Sequence, residues 1–350
     1  MTDRVKIAVV GYGYWGSKHV RVLSSMPDVA VSVVDSTVER LEEAAAYYPS
    51  VEATATDLDA VLDRVDAVVV ATPPASHAEI GLRALNAGKH VLIEKPMATS
   101  VADAEKLVIA AAANDLQLMV GHIFEYNPAV RQLRELIQSG ELGRVLYMDS
   151  ARLSLGLYQR DVNVVWDLAP HDISITSYLI DELPIAVSVW AQHNIGRWNE
   201  DVAYLRLDFP STHAFVHVSW LNPNKVRRTT VVGERRMAVY DDLSEEKLRI
   251  YDSGVDQRGI DIPHLAHEMP VSYRTGDIIS PFVPFREPLI VQDREFVDCV
   301  RTGERSKTAG ERGLEVVRVL AATDVAIASG RAAPVLRGLR AVGTSAGASS

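Results

Sequence analysis

Residues 5–122 alternate fully apolar segments of strand length with amphipathic segments of helix length, and nothing else in the chain constrains its fold as strongly. The apolar segments are VKIAVVG (5–11), VAVSVVD (29–35), DAVVVATPP (66–74), HVLIEKP (90–96) and LQLMVGH (116–122). Between them, YWGSKHVRVLSSM, TVERLEEAAAYY, SHAEIGLRALNAG and SVADAEKLVIAAAAND carry helical patterning, the last with Ser100 as its N-cap. Strands that are apolar on both faces must be covered on both, and intervening helices achieve this around a parallel sheet. After Gly121 the pattern changes. A helix, NPAVRQLRELIQSG, has Pro128 in its first turn and Gly140 at its end. Short segments follow, many of them alternating, among them RVLYMDSARL, IAVSVWAQH, VAYLRLDF, HAFVHVSWL, RRTTVVG, RMAVYDD and KLRIYD. These predict an antiparallel sheet. One helix, WDLAPHDISITSYLI, interrupts it, and two more, about 286–302 and 308–329, end the ordered part of the chain. Residues 253–284, rich in Pro and Gly, read as a long irregular functional or interface loop.

The predicted fold class is α/β. An N-terminal doubly wound parallel sheet of Rossmann type spans residues 1–122. An α+β domain with a large open, mainly antiparallel sheet spans 123–335, and a small polar tail expected to be disordered spans 336–350.

The turn after the first strand reads GYGYWG, which places Gly11, Gly13 and Gly16 in G-x-G-x-x-G spacing between a strand and a helix. Glycines there permit the tight turn, the approach of a pyrophosphate and close helix packing. Asp35 ends the second strand 19 residues after Gly16, where a carboxylate binds a ribose 2′-hydroxyl and repels a 2′-phosphate. NAD is therefore expected, and NADP less so. Arg40 would soften that preference, but its helical position predicts a solvent-facing side chain. Other cofactor-contact candidates are Tyr14 and Trp15 in the glycine turn, Thr72 and Pro73 ending the third apolar segment, and His77 just beyond. Glu94 and Lys95 end the fourth, on the sheet edge where ligands of open α/β sheets bind.

Hydride transfer from an alcohol needs a group that takes the hydroxyl proton and one that stabilises the developing oxyanion. Lys95 stands at the sheet edge, and Pro96 fixes the backbone beyond it. An ammonium held against apolar walls acquires a lowered pKa. In WDLAPHD, Asp167 and His171 are four apart, so on a helix they share a face and the carboxylate can orient the imidazole. Pro170 leaves a second geometry open, a turn beginning near Ala169 with Asp167 close to its N-terminus.

With the G-x-G-x-x-G turn, the E-K-P motif and the D-x-x-x-H pair, the whole chain resembles the Gfo/Idh/MocA family of nicotinamide-dependent sugar and polyol oxidoreductases. E-K-P is the most specific of these elements. The resemblance implies that Lys95 and His171 flank the reacting carbinol, with His171 as acid/base and Asp167 its partner. A glycine common in the family between Asp and His is replaced here by Ala169, followed by Pro170. The segment GHIFEYNPA resembles the stretch that opens the family's second domain, which makes His122, Tyr126 and Asn127 candidates near cofactor or substrate. The D-L-A-P-H variant resembles members acting in bacterial surface-polysaccharide or amino-sugar pathways. That implies a nucleotide-linked sugar oxidised or reduced at a ring carbon such as C3. A free cyclitol or monosaccharide is the alternative substrate. A non-catalytic NAD-sensing protein would require a broken Lys95/Asp167/His171 set.

Before the catalytic pair, SLGLYQRDVNVVWD offers Tyr158, Gln159, Arg160 and Asn163 as substrate contacts. Lys225, Arg227 and Arg228 in WLNPNKVRRTT suit either a phosphate or a solvated strand end. His213 with His217, and HLAHE (264–268), lack a complete ligand set, and no metal is expected. A net charge of −10 without a basic tail or stripe argues against nucleic acid as a partner. No apolar run reaches membrane-span length and no signal-peptide pattern opens the chain. The single cysteine, Cys299, suits a reducing cytoplasm and lies in an amphipathic helix as a core residue. One face of the second sheet lacks helical cover, which predicts a homodimer or homotetramer formed through it.

Overall fold

The computed structural model describes residues 4–156, 158, 162–195, 199–257 and 271–337. Gln159 and Arg160, the HLAHE segment and positions 338–350 of the tail lie outside them.

Among the described residues, β1 (Val5–Val10), β2 (Val29–Val34), β3 (Val51–Ala55), β4 (Ala67–Val70), β5 (His90–Ile93) and β6 (Leu118–Val120) form one parallel sheet in the order β3-β2-β1-β4-β5-β6. Helices α1 (Tyr14–Ser24), α2 (Val38–Tyr47), α3 (Asp59–Leu62), α4 (His77–Asn86) and α5 (Val101–Ala113) connect the strands. Ile7, Val9, Val68, Val69 and Leu92 are fully buried, each contributing about 1.5–3 kcal/mol of transfer free energy. The strand order reverses between β1 and β4, so a crevice opens there at the carboxyl edge. β3 is absent from the sequence-based expectation. It lies at the sheet edge, and its five residues alternate between half-buried and exposed, without the apolar run of the central strands.

The second half begins with α6 (Pro128–Gln138), β7 (Val145–Leu155) and α7 (Val164–Ile180). It continues through β8 (Ala186–Gln192), β9 (Val202–Asp208), β10 (His213–Ser219), β11 (Leu221–Gly233), β12 (Met237–Asp241) and β13 (Leu248–Tyr251). A separate pair, β14 (Gly254–Gln257) and β15 (Val271–Arg274), and the short β16 (Ile278–Ile279) give regular structure to part of the stretch expected to be irregular. α8 (Pro288–Thr302), α9 (Gly310–Ser329) and β17 (Ala333–Pro334) complete the described chain. The large sheet runs β16-β13-β12-β11-β7-β10-β9-β8-β17. Its pairings are antiparallel except β10 with β7.

α7 is continuous through Pro170 and resolves the two geometries in favour of the helix. Asn163 caps it by accepting from the Trp166 N–H at 3.1 Å. A proline inside a helix removes one backbone bond. Most of α7 is buried between the sheet and α9, and that packing outweighs the loss. The last two helices return to the first sheet: α8 lies on α1 and β1, and α9 on α5 and β6. Phe296 of α8 is fully buried in one cluster with Ile7, Val9 and Leu92. Cys299 is a buried free thiol, and burial pushes it up to about 11.

Candidate active site

The crevice between β1 and β4 is a cleft of about 640 Å³ lined by Gly11, Gly13, Asp35, Thr72 and Pro73, among others. Gly11 has φ +92°, and a Cβ there would lie 2.8 Å from the Ala71 carbonyl oxygen. A Cβ on Gly16 would lie 1.7 Å from the Gly11 carbonyl oxygen, so α1 can start against this turn only from a glycine. Gly13 differs: a Cβ there meets nothing within 4 Å and would occupy the cleft itself. Asp35 Oδ2 accepts from the Tyr12 N–H at 2.7 Å and Oδ1 from the Thr37 N–H at 2.9 Å. Burial alone would raise this carboxyl, but those two N–H groups and the Arg40 guanidinium hold it below the usual carboxylate range. Arg40 is solvent-exposed in α2, as expected, but also faces the cofactor cleft. It lines the cleft and approaches Asp35 at 3.5 Å, because its position at the start of α2 faces the end of β2. A glycine-floored turn at a helix N-terminus with an ionised carboxylate at the far end fits a dinucleotide.

Tyr14 and Trp15 line this cleft and also a second one of about 680 Å³ that continues from it. Lys95, Asp167 and His171 line the second cavity together. Lys95 Nζ donates to the Asp167 backbone carbonyl at 3.0 Å and stands 3.9 Å from Asp167 Oδ1. Burial lowers the Lys95 pKa, and the Arg152 and Arg227 guanidiniums act in the same direction against Asp167 and Glu94. His171 meets Phe124 edge-on with ring centroids 5.0 Å apart. Burial, then Lys95 and Arg152, hold its imidazole well below its ordinary range, so it is neutral near pH 7.

Asp167 and His171 share a face of α7, but they do not pair as expected. Asp167 Oδ2 accepts from Trp220 Nε1 at 2.9 Å, and His171 Nδ1 is buried without a partner among the described residues. The carboxylate is drawn toward an ammonium and an indole N–H and away from an imidazole in a cationic setting.

Glu94 and His77 stand behind the cavity wall. Glu94 Oε2 accepts from the Lys95 N–H at 3.2 Å, and its Oε1 meets His19 Nε2 at 3.1 Å. His77 is buried between the carbonyls of Pro96 (2.9 Å) and Thr72 (2.8 Å), tying the two strand ends together beneath the cleft rather than lining it.

The substrate candidates divide. Asn127 lines the second cavity, with its amide committed to Tyr240 and to the α6 N-terminus. Tyr126 does not line it: the ring is buried and its hydroxyl bonds Glu295 and Thr308, each at 3.0 Å. Tyr158 donates to Asp201 at 2.9 Å and leans on Trp220. Asn163 is occupied as the α7 cap and by Glu200 at 3.0 Å. Lys225 is exposed, because an irregularity in β11 between Leu221 and Val226 leaves Arg227, not Lys225, on the cavity. His122 is buried with both ring nitrogens unpartnered among the described residues, and burial holds its pKa down to about 3. His213 pairs with Asp208 at 2.8 Å and His217 stacks on Tyr204, away from this cavity.

Residues absent from the sequence-based site are Phe124, Arg152 and Trp220. Arg152 had a signal: in the alternation of RVLYMDSARL it occupies an inward position, where a charge requires a reason.

Residues 5–122 match a family model described as an oxidoreductase family with NAD-binding Rossmann fold, and 130–239 match the Gfo/Idh/MocA C-terminal domain. The chain is 38% identical over 197 residues to an inositol 2-dehydrogenase of Mycolicibacterium gilvum, covering 54% of this chain and 56% of that one. The chain thus spans about half the length of such relatives. It is 31% identical over 257 residues to a UDP-N-acetylglucosamine 3-dehydrogenase of Acidithiobacillus ferrooxidans, covering 71% of this chain and 78% of the relative. Among solved structures, GenD2 from gentamicin A biosynthesis, in complex with NAD, superposes with a TM-score of 0.80. The identity is 25%, with 95% of this chain and 97% of that one covered.

Proposed function

The chain belongs to the Gfo/Idh/MocA family of oxidoreductases with an NAD-binding Rossmann fold, and we propose that it interconverts a ring carbinol and a ketone on a sugar. The substrate is a nucleotide-linked sugar or amino-sugar precursor, with C3 the favoured carbon. The observation that carries this is the presence of Lys95 and His171 on one cavity that joins the Gly13 cleft at Tyr14 and Trp15. The relative named as a UDP-N-acetylglucosamine 3-dehydrogenase supports the nucleotide-sugar class. The inositol 2-dehydrogenase relatives favour a second reading, a free cyclitol.

NAD, held along Gly11, Gly13 and Asp35, supplies the hydride acceptor when bound. Lys95 directs its ammonium at the carbinol oxygen and stabilises the charge that develops there. Asp167 supports Lys95 rather than His171, with Trp220 fixing its carboxylate. His171, kept neutral, takes the carbinol proton at Nε2, since Nδ1 is buried. The work divides between residues 1–122 for the cofactor and 123–335 for substrate and self-association, the latter as a dimer or tetramer through the open face of the large sheet. A cytoplasmic setting suits a chain with one buried cysteine.

The test is NADH absorbance on incubating the protein and NAD with nucleotide-sugars, sugar phosphates and cyclitols. Lys95→Ala is expected to lower turnover by about 10²-fold or more while NAD affinity stays within about threefold. Near-normal turnover in that variant would overturn the role given to Lys95.

A further inference from the structure

β7 and β11 set Arg152 and Arg227 directly opposite each other, and both line the second cavity. Like charges at directly opposed positions destabilise a sheet, so this placement is costly unless something compensates it. Compensation within the protein is incomplete. Arg152 is buried and paired with Asp172, Nε to Oδ2 at 2.6 Å. Its Nη1 has no hydrogen-bond partner among the described residues. Arg227 reaches Asp242 only at 3.4 Å through Nη1, which leaves its Nε and Nη2 without partners among them. Five basic side chains line the cavity against three lining carboxylates and Asp172 behind Arg152, on a chain whose net charge is −10. Positive charge is concentrated where the rest of the molecule is acidic.

The pair is also close to the chemistry. Arg152 lies over the Phe124 ring, Cζ to centroid 4.5 Å, and the same ring meets His171 edge-on at 5.0 Å. Phe124 therefore borders both the guanidinium and the imidazole. The cofactor pyrophosphate does not account for the pair, since neither arginine lines the Gly13 cleft.

We propose that Arg152 and Arg227 form a subsite for an oxyanion, a carboxylate or phosphate ester, carried on the same ring that presents its carbinol to Lys95 and His171. This rests on the carbinol chemistry proposed for the site. A planar guanidinium with free N–H groups recognises such anions through charge-assisted hydrogen bonds, and the anion relieves the repulsion between the two cations. Arg152 fixes the geometry through Asp172, and Arg227 supplies the adjustable partner.

Arg227→Gln is the informative variant, because Arg152→Ala would strand buried Asp172 and unfold the site. With NAD present, ring anions (D-glucuronate, glucose 6-phosphate and UDP-glucuronate) are compared with counterparts lacking the ring anion (glucose, myo-inositol and UDP-glucose). Turnover is followed in the native protein, and binding by calorimetry in Lys95→Ala. The native protein is expected to favour at least one anionic compound by about tenfold or more in KM, with binding that weakens as salt rises. Arg227→Gln is expected to reduce the anionic-over-neutral preference by about tenfold, and Arg227→Lys to restore part of it. A response to the carboxylates alone, or to the phosphate alone, identifies which oxyanion the subsite takes. Equal use of neutral and anionic compounds, no binding of any anion, or a preference unchanged in Arg227→Gln would each overturn the proposal. Arg227-dependent anion binding with no turnover of any compound would instead retain the subsite and count against the carbinol chemistry.

Discussion

A methyl group added at Gly13 and one added at Gly16 meet opposite surroundings. At Gly16 it would sit 1.7 Å from a backbone oxygen, and at Gly13 it would meet no protein atom within 4 Å. Gly16→Ala should therefore force the turn apart, at a cost of about 1–3 kcal/mol or more, visible as a lowered Tm of the cofactor-free protein. Gly13→Ala should leave that Tm almost unchanged but weaken NADH binding by about tenfold, since the methyl would occupy the pyrophosphate's path. NADH titrating Gly13→Ala like the native protein would remove the cofactor from that turn. His171 carries a second prediction. Its pKa is depressed by burial and neighbouring cations, so the neutral base persists to lower pH than an ordinary imidazole. The acid limb of kcat for carbinol oxidation should accordingly fall below pH 6.5, and a limb at or above that value would contradict the assignment. The sequence marked Lys95 at a strand end and Asp167 with His171 four apart on a helix, and only the family resemblance joined the three, which line one cavity. Asp167's true partners were not, because Trp220 and Lys95 reach it from distant parts of the chain.

At the scale of elements, the end of β5 is locked to α1 and α8 by a buried histidine between two carboxylates. His19 Nε2 meets Glu94 Oε1 at 3.1 Å, and its Nδ1 meets Asp293 Oδ1 at 3.0 Å. Although burial opposes charge, the two carboxylates raise the His19 pKa to about 10, so it is an imidazolium in the folded protein. The folded value lies above the unfolded one of about 6.5. The stabilisation is then fully present below about pH 6.5 and is lost as pH rises toward about 10. His19→Gln should cost about 3 kcal/mol or more at pH 6 and flatten the fall of the urea midpoint between pH 6.5 and 10. A native midpoint that is constant across that window would refute the charged link. Strand–helix alternation revealed the elements of the first sheet but not this lock, because Asp293 lies in a helix 274 residues after His19. The half-exposed edge strand β3 escaped for a different reason: without an apolar run, VEATA resembles a loop.

Across the whole molecule, the helices α6, α7 and α9 cover one face of the large sheet, and the opposite face carries aromatic residues into solvent. β8, β9 and β10 align Trp190, Tyr204 and His217 as direct cross-strand neighbours. Tyr204 stacks on His217 at 3.9 Å, while Trp190 and Tyr204 remain 51% and 50% exposed. An aromatic row of this kind suits a protein interface far better than a surface meant to remain wet. The sequence foretold an uncovered face from its missing helices, whereas the aromatic row emerges only once strand register is known. With 58 strand residues in the sheet, at roughly 4.8 Å between strands and 3.4 Å per residue, the face measures about 950 Å². That is close to the roughly 800 Å² per partner of a stable interface. Sedimentation velocity at micromolar concentration should show a dimer or tetramer, and Tyr204→Glu, which places a carboxylate at the centre of the row, should shift it to monomer. Because Tyr204 faces away from α7, which carries Asp167 and His171, the dissociated variant should still bind NADH. If the native protein sediments only as a monomer, self-association through this sheet is wrong. If Tyr204→Glu leaves the assembly intact, the contact lies on another surface.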